Sequence, residues 1–232
     1  MDLISIDSAA GKVYRHDGLS AAILAELSIP GGVHGAAWTG ENLITNLYGG
    51  GGQTMKLFSG FSTTVLATVS TDHSKAWGIG WDGENVLLVN AGASGSDMFF
   101  NTLVQFNGFS GSVKKNIYIG GPLRQPVVDV FFYDGNTYVL GQYGLVVKFS
   151  GVSKNVLGLV TLPSEAWTGL AIVNGDIVAC SYTTKTVYVY DGFSATLKSS
   201  FAAPGTEPLD LAAGTFPIEP SVQRLTSRHI FV

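Results

Sequence analysis

Five residues whose side chains can do chemistry recur at one point of an internal repeat. They are His34, Trp77, Asp129, Thr168 and Asp210, each near the start of a short apolar segment. One imidazole and two carboxyls in a ring are donors for a divalent metal or for a polar ligand. Asp129 and Asp210 would make an acid–base pair if their separation suited it. The plainer expectation is that these groups solvate the mouth of a channel, with no metal and no cofactor held. Trp77 and Trp167 offer flat faces for a sugar or a peptide, or pack between strands. Cys180 stands in an alternating apolar stretch, the setting of a buried, inert thiol.

Other chemistry is excluded by spacing. The chain contains no His-Glu-x-x-His, Cys-x-x-Cys, calcium-loop or Gly-x-Ser-x-Gly pattern. The run Gly49-Gly50-Gly51-Gly52 lacks the Gly-Lys-Ser/Thr that makes a phosphate cradle, so it reads as a hairpin. Met98-Phe99-Phe100 is an anomaly: three large apolar residues inside a Gly/Ser-rich insertion, with no strand position to fill. They are either a contact surface or buried by the loop folding back. Arg124 lies in another such connection.

A repeat must position all of these. The turns Asp17-Gly18-Leu19-Ser20, Ser59-Gly60-Phe61-Ser62, Asn107-Gly108-Phe109-Ser110, Ser150-Gly151-Val152-Ser153 and Asp191-Gly192-Phe193-Ser194 follow one another at intervals of 41 to 48 residues. Two residues before each glycine stands a ring: His16, Phe58, Phe106, Phe149 or Tyr190. After each turn, Ile23, Val65, Val113, Val156 and Leu197 form one column and Leu27, Val69, Ile117, Val160 and Phe201 another. Their spacing of four keeps both on one face of a strand. A second set of turns, at Gly40, Gly83, Gly135 and Gly175, precedes each second strand. A period near forty in a strand- and turn-rich chain predicts an all-β fold, a five-bladed β-propeller of four-stranded antiparallel blades. The fifth copy is split. Pro208–Ala213 supplies its first strand and Leu3–Ile6 its second, so N- and C-terminal segments pair to close the ring. Residues 1–215 are then one domain, and 216–232, which fit no column, are an appended tail carrying Arg224, Arg228 and Phe231.

In an up-and-down blade the Gly18-type and Gly40-type turns share one face. Those turns are short and uniform. The opposite face carries the irregular connections, and variable loops on a regular frame are where recognition is placed. That face holds the expected binding residues: Met98, Phe99, Phe100, Trp77, Trp167, Arg124, His34, Asp129 and Asp210. Arg224, Arg228 and Phe231 are expected to make contacts through the tail, as a strap or as an arm for a neighbour.

Composition narrows the partners. Net charge is −4, and the 13 Lys and Arg are scattered. Phosphate-rich nucleic acid and anionic membrane surfaces are therefore disfavoured. No apolar run is long enough to insert in a membrane. The start, Met1-Asp2-Leu3-Ile4-Ser5, has an acid where a signal peptide needs bases. Synthesis in a cytoplasm without a signal peptide is expected, with a virion or release by lysis as compatible destinations.

The repeats over residues 1 to about 215 resemble the β-propeller superfamily, and in size and blade number the chain resembles the five-bladed lectins of the tachylectin-2 type. The lectin resemblance implies sugar binding in pockets between blades. The leading expectation is a non-enzymatic recognition or assembly module, such as a structural or adhesion component of a phage particle. It would bind a protein partner through the variable face and tail. A glycan-binding lectin and a small metal-dependent hydrolase using His34, Asp129 and Asp210 are the alternatives.

Overall fold

The computed structural model describes residues 1–49, 52–71, 73, 76–93 and 99–216. Among them are twenty strands in five four-stranded antiparallel sheets, with no helix. Blade 1 contains β1 (Asp2–Asp7), β2 (Lys12–His16) and β3 (Ile23–Ser28). Blade 2 follows with β4 (Gly35–Trp38), β5 (Leu43–Gly49), β6 (Gly52–Phe58) and β7 (Val65–Thr71). Blade 3 is β8 (Ala76–Trp81), β9 (Val86–Ala93), β10 (Phe99–Phe106) and β11 (Val113–Tyr118). Blade 4 is β12 (Val127–Tyr133), β13 (Asn136–Gly141), β14 (Leu145–Ser150) and β15 (Val156–Thr161). Blade 5 is β16 (Trp167–Val173), β17 (Asp176–Ser181), β18 (Thr186–Tyr190) and β19 (Leu197–Ala202). The last strand, β20 (Pro208–Gly214), pairs with β1 as the inner strand of blade 1. The chain is a five-bladed β-propeller closed by its two ends.

The repeated turn is built by local chemistry. Gly18, Gly60, Gly108, Gly151 and Gly192 all adopt φ between 56° and 59°, a conformation in which a β-carbon is disfavoured. Two residues later, the Oγ of Ser20, Ser62, Ser110, Ser153 or Ser194 donates to the carbonyl three residues back, at 2.6–2.8 Å. The same oxygen accepts the amide two residues on, at 3.1–3.2 Å. The ring before the turn is buried in every blade. There the third and fourth strands slip register once, at His16, Phe58, Phe106, Phe149 and Tyr190.

Five apolar clusters lie between successive blades rather than inside them. Second strands, packed on both faces, are nearly continuous in burial, as in β13 and β17. Fourth strands have a solvent face and alternate, as in β3 and β15. His16 belongs to this packing: its ring meets Ser5 Oγ at 2.8 Å, the Ser20 carbonyl at 2.9 Å and the face of Phe201.

The inner strands approach the axis closely, and glycine makes this possible. A β-carbon on Gly78 would lie 2.3 Å from Asp129 Cα, and one on Gly169 would lie 2.8 Å from the Leu211 nitrogen. Gly121, in a loop, has open space and an ordinary φ. Gly78→Ala should therefore cost at least about 2 kcal/mol through overpacking, whereas Gly121→Ala should be neutral or slightly stabilising. Chemical denaturation of the two variants checks this.

Candidate functional site

Two layers of side chains occupy the variable end of the channel, and the sequence reading merged them. The turns β4–β5 and β8–β9 join Trp38 to Leu43 and Trp81 to Val86, whereas β12–β13 and β16–β17 join Tyr133 to Asn136 and Val173 to Asp176. The turn glycines of the last two are therefore offset by one position, and Phe132, not Tyr133, matches Trp38 and Trp81. Corrected for this, the mouth ring is His34, Trp77, Val128, Thr168 and Leu209. One residue deeper lies a second ring of Gly35, Gly78, Asp129, Gly169 and Asp210. Asp129 and Asp210 are thus not at the mouth but beneath it, fully buried.

The three glycines leave the axis to the two carboxyls. Asp129 accepts the amides of Val130 (2.6 Å) and of Leu170 across the blade boundary (2.5 Å). Asp210 accepts those of Leu211 (2.8 Å) and, across the opposite boundary, Ala36 (2.7 Å). The two side chains also hydrogen-bond each other. Burial raises both pKa values, and the charge of Asp129 raises that of Asp210 further. A proton on Asp210, donated to ionised Asp129, satisfies every one of these contacts. All four oxygens are occupied by the protein. The separation needed by a glycosidase pair, at least about 5 Å, is absent.

Above this plug is a pocket of about 370 Å³. Its walls are chiefly apolar: Trp77, Val128, Ala166, Tyr182, Leu209 and an edge of Trp167. Trp77 is 46% exposed at the rim and meets His34 edge-on, with centroids 6.3 Å apart. Trp167, read from the sequence as either a stacking surface or packing between strands, is packed: it is a buried wall whose Nε1 donates to the Pro163 carbonyl at 2.9 Å. Thr168 spends its hydroxyl on the Pro208 carbonyl at 2.9 Å. Burial holds the His34 imidazole below its ordinary pKa, with Glu207 pulling weakly the other way, so it is neutral at pH 7. The Cys180 thiol is pushed up to about 12 by burial. Among the described residues no three His, Cys, Asp or Glu are placed to hold a metal ion.

The remaining expected residues divide. Arg124 is exposed on the loop between β11 and β12. Phe99 and Phe100 do have strand positions, contrary to the sequence reading: they begin β10 and pair with Ala93 and Gly92, extending the hairpin beyond the blade. Met98, Arg224, Arg228 and Phe231 lie outside the described residues. The sequence reading missed Tyr118, Tyr143 and Tyr182, all exposed on strand ends or turns of the variable face. Their signal was an aromatic residue next to an irregular connection.

No protein-family model matches this chain, and no curated protein matches it. Solved structures do. The WD40 β-propeller domain of Doa1 aligns with a TM-score of 0.56 at 15% identity, over 90% of this chain and 82% of that one. Glutaminyl cyclase from Myxococcus xanthus aligns at 0.55 and 12% identity, over 78% and 70%. A Bacteroides caccae protein of unknown function aligns at 0.52 and 16%, over 87% and 73%. At such identities the likeness is one of fold, shared by an enzyme and a WD40 domain alike.

The carboxyl pair generates a pH dependence. Unfolded carboxyls titrate near 4, and both are raised in the fold. Between pH 4 and neutrality the folded chain holds more protons than the unfolded one, so stability falls as pH rises through this window. Asp210→Asn keeps a donor to Asp129 and removes one titrating group, so it should flatten the slope, but it also gives up one of the two oxygens that accept the Leu211 and Ala36 amides and lowers stability across the range. Asp129→Asn loses an acceptor that two amides need and should cost about 2–4 kcal/mol at pH 6. Melting temperatures of the three proteins from pH 4.5 to 8.5 read both effects.

Proposed function

We propose that this propeller is a non-enzymatic recognition module whose axial pocket grips an apolar or aromatic side chain of a protein partner. The observation that carries the reading is the poverty of polar groups in an otherwise well-formed pocket. Its walls are apolar, Thr168 and the Trp167 indole are already engaged, and His34 is neutral. Gln142 and the Tyr182 hydroxyl are the main polar groups with capacity to spare among the described lining residues. A sugar ring presents hydroxyls on every edge and would leave most of them unpaired, at a cost of about 1–3 kcal/mol each. No Lys or Arg lines the pocket to pair with a phosphate or carboxylate; the nearest placed cation, Lys185, lies over the ring of Tyr182 at 3.6 Å. A Leu, Met or Phe side chain fits the volume and the chemistry.

Trp77 and Tyr182 at the pocket, and Tyr118 and Tyr143 elsewhere on the same face, expose rings of the kind enriched in protein interfaces. The sealed Asp129–Asp210 pair supports a non-enzymatic reading, because a substrate would have to displace backbone amides to reach it. A rigid ring with one gripping pocket suits a component of a larger assembly, such as a structural or adhesion protein of a phage particle.

A second reading, a glycan-binding lectin, has one observation in its favour: the half-exposed indole of Trp77 at the rim. One experiment separates the two. The full chain and its Trp77→Ala variant are selected against a random peptide library and applied to a glycan array. The expected outcome is enrichment of peptides with a shared large apolar residue, bound tenfold to a hundredfold more weakly by Trp77→Ala. Glycan binding lost in Trp77→Ala, without peptide enrichment, would replace the proposal with the lectin.

A further inference from the structure

The opposite, uniform face carries its own concavity, a shallow dish of about 630 Å³ at the other mouth of the channel. Rings of Trp38, Trp81, Tyr133 and Phe216 line it, and Asp82 and Asp134 stand on its rim. Asp82 is committed to its own turn, accepting the amides of Glu84 and Asn85 and the Gln105 side chain. Asp134 is exposed on its turn, and its carboxylate has no hydrogen bond or ion pair among the described residues. Glu41 stands exposed on the neighbouring turn. This face therefore combines two half-buried rings, Trp81 and Tyr133, with negative charge.

We infer that the dish is the docking site of residues 217–232 of the same chain, lying as a strap across the uniform mouth. Three observations favour this occupant over any other. First, the chain already enters the dish. Phe216 stacks on Trp38 with centroids 4.0 Å apart and meets Phe61 edge-on, and the Arg15 guanidinium covers its other side at 3.9 Å. The Trp38 Nε1 holds the preceding carbonyl, that of Thr215, at 3.2 Å. Phe216, read from the sequence as the first tail residue, is thus a buried part of the blade 1–blade 2 cluster. Second, the sixteen residues that follow reach about 50 Å when extended, far more than the width of the dish they start in. Third, the chemistry is complementary. The segment carries Arg224 and Arg228 against the acids of the rim, and Leu225, Ile230 and Phe231 against its rings. Arginine over tryptophan or tyrosine adds cation–π attraction. The strap lies on the face away from the axial pocket, so the two sites do not compete.

The four tryptophans report on this directly, because Trp38 and Trp81 line the dish while Trp77 and Trp167 line the axial pocket. A nitroxide is attached to the full chain through Ser227→Cys; Cys180 is buried with a thiol raised to about 12 and does not compete for the label. The indole N–H signals, assigned with single Trp→Phe variants, are then followed by NMR. The expected result is loss of most of the Trp81 and Trp38 intensity while Trp77 and Trp167 keep theirs. Recovery of the lost signals in the Arg224→Glu/Arg228→Glu chain is also expected. No loss at any indole, or loss at Trp77 and Trp167, overturns the inference. Spin-labelled chain mixed with isotope-labelled, label-free chain tests for exchange between molecules. Broadening in that mixture would assign the segment to a neighbour and overturn the strap.

Discussion

Five inner strands meeting around one axis leave too little room for five side chains in the same layer, and the structure depends on how this chain resolves that crowding. Gly35, Gly78 and Gly169 withdraw, and Asp129 and Asp210 fill the space they leave. Each carboxyl accepts an amide of its own strand and one from the next blade, and the pair hydrogen-bonds across the axis. Two blade boundaries are thereby tied by hydrogen bonds that no apolar side chain could make. The cost is burial of two acids, which is tolerable because a proton between them removes the repulsion of two neighbouring charges.

The plug also divides the channel. On the variable side it floors a neutral, mostly apolar pocket, and on the uniform side a narrower space continues to an aromatic dish. The carboxyls look catalytic in isolation, but every oxygen is turned toward backbone amides. They act as framework, and in the proposed reading recognition falls to the ring of His34, Trp77, Val128, Thr168 and Leu209 above them.

The two faces differ because their connections are made differently. On the uniform face each turn between third and fourth strands is specified by a glycine at positive φ and a serine that bonds both sides of the turn. Such a turn admits little variation. On the other face, connections need only span from one strand to the next, and they differ in length and composition from blade to blade. The irregular face can therefore acquire a site without disturbing the ring that carries it.

Much of the architecture was legible in the sequence. The Gly–x–Ser turns, the ring two residues before them and the even columns after them specified blade number, strand order and the pairing of the two chain ends, because each is a local rule repeated five times. The site was legible only in part. His34, Trp77 and Thr168 were placed correctly at the mouth, but Asp129 and Asp210 were assigned one layer too high, since turns of unequal length hide a one-residue offset that only strand pairing reveals. For Trp167 stacking and packing could not be told apart, and Phe99 and Phe100 looked like loop, because burial and strand extension depend on neighbours distant in the chain. Local hydrogen bonding and periodicity are written in consecutive residues, and so the sequence determined the propeller. Depth along the axis, sharing of a proton and the neutrality of the pocket arise where strands from different blades meet, and so only the tertiary structure decided them.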